Sequence, residues 1–137
     1  MKEIITAIAA SDTKTILHVV HYKPEHEVIG VIQVLHGMTE HIGRYKEFAK
    51  FFTDKGYAVI GHDMIGYGKT KSYGMKETYL ENWEDAVTDI ESIRKFIQEK
   101  NSIVLVDTSI NIKSKGNQYI YSLAKYTRKK CKLLKKI

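Results

Sequence analysis

With one cysteine (Cys131) and one proline (Pro24) in 137 residues, the chain has no internal disulfide and almost no proline punctuation. A lone thiol excludes the stapled scaffolds of small secreted domains and points to a reducing compartment, so a cytoplasmic setting is expected. Long apolar runs are missing too, since no stretch approaches the roughly 20 residues that a membrane-spanning helix needs. The N-terminal run Ile4–Ala10 is short, contains Thr6 and follows Glu3, which is unlike a secretory signal. The largest gap lies at the C-terminal end, where no Asp or Glu follows Asp107 and no His follows His62.

That gap divides the chain electrically. Residues 1–112 carry 13 Lys+Arg against all 16 Asp+Glu, a net of −3, whereas residues 113–137 carry 9 Lys+Arg and no acid, a net of +9. At 43% hydrophobic the chain supports one core, and the expected division is a folded part over 1–112 followed by a basic tail over 113–137. Three readings of the tail stand open. It is a basic amphipathic helix for an anionic membrane surface or a nucleic acid, a solvated end, or a stretch translated out of frame.

What is present reads as α/β. Ile16–Tyr22, Val28–Leu35, Tyr57–Gly61 and Ser102–Val106 are strand-like, and Val28–Leu35 is apolar enough for burial on both faces. Arg44–Lys55 sets Tyr45, Phe48, Ala49 and Phe52 at helical spacing and stops at Gly56. Trp83–Lys100 is a second helix, with Asn82 as cap, Glu84 and Asp85 in the first turn, and a stripe from Trp83 through Ile90 to Ile97. Alternating strands and helices predict a largely parallel sheet with helices on its faces.

Several chemical motifs fail on spacing. Gly68-Lys69-Thr70 looks like the end of a phosphate-binding loop, but the leading glycine would fall at Asp63 and no helix follows. His36 and His41 lie five apart across a loop, and His18 and His21 lie on opposite faces of a strand, so no metal site and no cofactor is expected. Asp63 reads as an organiser of the loop after its strand rather than as a catalytic group.

The run His36-Gly37-Met38-Thr39-Glu40-His41, then Gly43-Arg44-Tyr45, stands directly behind the strand Val31–Leu35. It resembles the His-Gly-x-x-Glu-His-x-x-Arg-Tyr signature of the monoacylglycerol lipase and lysophospholipase branch of the α/β-hydrolases, the serine aminopeptidase S33-like proteins. Gly56-Tyr57, Gly61-His62-Asp63 and Gly66-Tyr67-Gly68-Lys69-Thr70 are similar to a second element of that family, with Tyr67 for its His and Thr70 for its Ser. The polar turn Ser11–Lys14 fits between its first two strands. The resemblance implies the N-terminal half of an α/β-hydrolase sheet, truncated before the catalytic triad is complete. It also implies an oxyanion hole from His36, Gly37 and the N–H of Met38, a main-chain donor that any residue could supply.

By the same resemblance the nucleophile is expected on a Gly-x-Ser-x-Gly turn after the strand at Ile103–Val106. Ser109 falls there, but Asp107 and Asn111 stand where the glycines would be. No Asp, Glu or His follows Ser109, so within this sequence nothing completes a Ser-Asp-His triad. If later strands are missing, the last strand becomes an exposed sheet edge, and self-association is expected. Two functions of different class follow. One is a serine hydrolase fragment whose lineage cleaves lipid carboxylic esters, inactive by itself; the other is a non-catalytic protein that binds membrane or nucleic acid through its tail.

Overall fold

The computed structural model describes residues 1–37, 39–70, 82–100 and 104–108, and of 98–100 and 104–108 it describes the backbone. Five strands form one sheet: β1 (Lys2–Ala9), β2 (Ile16–Lys23), β3 (Gly30–Leu35), β4 (Tyr57–His62) and β5 (Val104–Thr108), in the order β1-β2-β4-β3-β5. The parallel arrangement holds for β4-β3-β5, and the hairpin of β1 and β2 joins antiparallel to β4, so the α/β sheet is mixed. Helices α1 (Lys46–Thr53) and α2 (Trp83–Lys100) flank it.

Every residue of β3 is buried, as its nearly all-apolar run leads one to expect. The strand starts at Gly30 rather than Val28, because the N–H of Ile29 is spent on Gly56 O (2.9 Å) and Ile29 is left outside the ladder, 52% exposed. The helix read over Arg44–Lys55 is α1 preceded by a 3-10 turn, Ile42–Tyr45. Gly56, at φ +89, takes the left-handed conformation that lets the chain leave α1 for β4. The Asn82 side chain accepts the N–H of Glu84 (3.1 Å), capping α2 as its sequence suggests.

The sheet has two differently built faces. Against α1 pack Val20, Tyr22, Ile32, Val34, Ile42 and Val59, with Tyr45, Phe48, Phe52 and Tyr57 around them. Against α2 pack Leu17, Val19, Val31, Leu35, Ile60 and the helix residues Ile90, Ile93 and Ile97. Gln33 is the buried polar exception in β3, and its Nε2 donates to Ile90 O (3.0 Å), a direct tie from sheet to helix. At the hairpin turn, Ser11 N–H donates to Asp89 Oδ1 (2.7 Å) and Ser11 Oγ to Asp85 O (3.0 Å), fastening the turn to the first half of α2. Among the described residues no helix is long and apolar enough to cross a membrane.

Candidate active site

Parallel strands carry their loops at one end, and here the loops after β3 and β4 meet at the C-terminal ends of those strands. The expected oxyanion residues begin with His36, which is fully buried. Its Nε2 lies 2.9 Å from the N–H of Met64, a group that can only donate, so Nε2 must accept. The ring proton therefore sits on Nδ1 and points at Gly37 O (2.9 Å). Both nitrogens are engaged in the neutral ring, and burial holds the His36 pKa below its usual value. The Tyr67 ring packs edge-on against it at 5.6 Å.

Gly37 is saturated by Glu40. The Gly37 N–H donates to Glu40 Oε2 (3.0 Å), and the Glu40 N–H returns to Gly37 O (3.2 Å). The same Oε2 accepts the Tyr45 hydroxyl (2.9 Å), and the Arg44 guanidinium lies 3.8 Å from Oε1. Glu40 is thereby held below the usual carboxylate range, first by the Gly37 N–H and then by Tyr45. Thr39, at φ +63, makes the sharp reversal that brings Glu40 back over Gly37. With the Gly37 amide already spent, the loop's remaining candidate donor is the Met38 N–H, and Met38 lies outside the described residues.

Asp63 fastens this loop to its neighbour. Its Oδ1 accepts the N–H of Ile42 (2.7 Å) and its Oδ2 that of Lys69 (2.8 Å), while its own N–H donates to His18 O (3.0 Å). One buried carboxylate thus ties the segment at Ile42 to the loop after β4, the organising role read from its sequence position. Gly68 is required by that arrangement: at φ +52, a Cβ there would stand 2.3 Å from Asp63 Oδ2. Thr70 is fully buried and accepts the His18 N–H on its hydroxyl (2.8 Å), so the Gly-Lys-Thr run is a structural anchor and not a phosphate cradle.

His62, which the sequence offers as part of the Gly61-His62-Asp63 element, is the least satisfied group here. It is 1% exposed, and neither ring nitrogen has a partner among the described residues. Burial, reinforced by His36, drives its pKa down to about 3, so it is neutral at physiological pH. His41 is exposed whereas His36 is buried, and among the described residues no group of three or more His, Cys, Asp or Glu is placed to hold a metal ion.

The nucleophile candidate, Ser109, lies outside the described residues. β5 runs through Asp107 and Thr108, two residues further than its sequence pattern suggested, so those residues belong to the strand and not to a turn. The parallel register sets Thr108 beside Leu35, the residue before His36. The end of β5 and the start of the loop after β3 are therefore neighbours at one end of the sheet.

The fold is shared with known proteins. Residues 26–109 match the family described as serine aminopeptidase, S33. Among solved structures, the chain is similar to a carboxyl esterase from Bacillus coagulans in complex with glycerol (24% identity, TM-score 0.65, 77% of this chain and 35% of that one). It is also similar to a lipase in its open form (20%, 0.66, 78% and 36%). A soluble variant of the Saccharomyces cerevisiae monoglyceride lipase, in complex with a substrate analogue, is a third (13%, 0.66, 77% and 35%). The chain spans about a third of the length of each, and at these identities the likeness shows the fold. No curated protein matches it by sequence.

Proposed function

The chain belongs to the serine aminopeptidase S33 family, α/β-hydrolases of esterase and lipase lineage, and from that premise we propose that it carries the oxyanion-hole half of a lipid ester hydrolase. The substrates would be carboxylic esters of the monoacylglycerol or lysophospholipid type. In this reading residues 1–112 are a partial hydrolase domain and 113–137 a basic tail, and the setting is cytoplasmic. His36 and Gly37 shape the loop, the Met38 N–H faces the developing alkoxide of the tetrahedral intermediate, and Ser109 stands in the nucleophile's place. The observation that carries the reading is the Glu40 clamp on Gly37 together with the Met64 N–H bond to His36, which fix the turn after β3 beside the end of β5.

Attack by a serine hydroxyl needs a base to take its proton, and the sequence offers none after Ser109, where the family's order would put it. His36 has both nitrogens engaged, and no Asp, Glu or His follows Ser109. The chain alone is therefore inert, and hydrolysis requires an acid and a histidine from outside this sequence. Treatment with a fluorophosphonate probe tests this. The chain alone should stay unlabelled, whereas an assembly that supplies the remaining half should label at Ser109 and not in Ser109→Ala. If no assembly labels, the hydrolase reading fails.

The charge distribution favours a second reading, since all of the positive excess lies in 113–137. Here the protein is non-catalytic and its tail binds an anionic membrane or nucleic acid. Such binding should weaken steeply as salt rises. Salt-insensitive or absent binding removes this reading.

A further inference from the structure

At the opposite end of the sheet from His36 and Asp63, on the α2 side, lies a cavity of about 330 Å³. Its wall is apolar, formed by Ile4, Val31, Ala58, Ile60, Phe96 and Ile97, and it begins where β3 and β4 begin. That volume is at the lower end of the range for small-molecule sites, about 300–1,000 Å³, and suits a single alkyl chain. Thr6, His21 and Lys23 line it as well, and the His21 ring meets the Phe96 ring edge-on at 6.1 Å.

At the mouth stand Lys23, which lines the cavity, and Lys2; Glu25, two residues beyond Lys23, is paired with the Met1 amino group (2.8 Å). In the β1–β2 register Lys2 pairs directly with Lys23, so the two side chains project from the same face of the sheet. Two ammonium groups directly opposite one another repel, and neither has an ion-pair partner among the described residues. Glu3, between Lys2 and Ile4 in sequence, projects from the other face and pairs with Lys46 on α1 (3.0 Å). An anionic head group set between Lys2 and Lys23 would relieve their repulsion, while an attached alkyl chain would cover apolar wall that is otherwise wetted, such as Ile4, 38% exposed.

We propose that this cavity binds a single-chain fatty carboxylate, with its carboxylate between Lys2 and Lys23 and its chain along Ile4, Val31, Ile60 and Ile97. The site is remote from the oxyanion loop and does not depend on the hydrolase reading. Calorimetric titration of the full chain with decanoate, below its micelle concentration, tests it without any ester being cleaved. Decanoate should saturate at one per chain and shift the backbone amide resonances of Thr6 and His21. Acetate should not bind, and decyltrimethylammonium should bind about tenfold more weakly or not at all. The exposed double variant Lys2→Gln/Lys23→Gln should keep its fold by circular dichroism and lose about tenfold in decanoate affinity, equivalent to about 1.4 kcal/mol. Equal binding by the double variant would place the anion on the basic tail, and absence of saturation or of the Thr6 and His21 shifts would leave no site; each outcome overturns the proposal.

Discussion

The two faces of the sheet solve the same burial problem with different completeness. The α1 face is closed by a short helix and a ring of aromatics, Tyr45, Phe48, Phe52 and Tyr57, whose rings touch one another in sequence. The α2 face is filled by branched aliphatics, and it also holds Gln33 Oε1, His62 Nδ1 and Nε2, Trp83 Nε1 and Asp89 Oδ2, all buried without a partner among the described residues. The cavity at Lys23 opens on that face as well. Buried polar atoms are normally satisfied. Their concentration on one face teaches that the α1 side is finished by residues 20–59, whereas the α2 side is the one still owed contacts.

If that contrast is real, the apolar part of the α2 face must hold it together. Ile93→Ala, at a fully buried position, should cost about 2–5 kcal/mol in urea unfolding followed by circular dichroism, and more than Phe48→Ala on the half-buried aromatic side. An equal loss at both positions would break the comparison. Acid should expose the polar part next. His62 titrates at about 3 in the folded chain against an ordinary 6.5, so the unfolded chain binds the extra proton between those values. Stability is then fully present above pH 6.5 and lost as pH falls toward 3, with His36 acting in the same direction. Between pH 6.5 and 4.5 the loss should be about 2–3 kcal/mol. His62→Leu should flatten that slope and leave stability at pH 7 unchanged or higher, because two unpartnered nitrogens disappear. A wild-type stability flat over this range would contradict the unsatisfied state of His62. The smallest effect is expected on the finished side: Tyr45→Phe removes one hydroxyl bond to Glu40 and should cost about 0.5–1.5 kcal/mol, independent of pH above the Glu40 titration.

The elements were legible in the sequence because burial writes itself into residue type. β3 reads as an apolar run, α2 as a stripe from Trp83 to Ile97, and Asn82 as a cap; each is found, with Ala86, Val87, Ile90, Ile93 and Ile97 buried and Trp83 and Phe96 half-buried. Their ends were less legible, since a single backbone bond moves them: Ile29 N–H to Gly56 shortens β3, and Ile42 N–H to Asp63 sets a 3-10 turn before α1. The site was legible as a motif but not as a circuit. His36, Gly37 and Glu40 stand together in sequence, yet the bond from His36 to Met64 spans 28 positions and no local pattern announces it. His62 looks like any strand-end residue until its neighbours on β2 and β3 are in place. Gln33 carried the one usable signal, a lone amide in an apolar strand.

The described ties that shape the loop after β3 come early in the chain. His18, His36, Glu40, Asp63, Met64 and Thr70 supply them, so the last is encoded 38 residues before Thr108. A ribosome adding about 5–20 residues per second would complete those partners roughly two to eight seconds before β5 is made. By the time β5 is made, the sequence of every one of those partners is complete, and β5 joins β3 on the edge opposite β4.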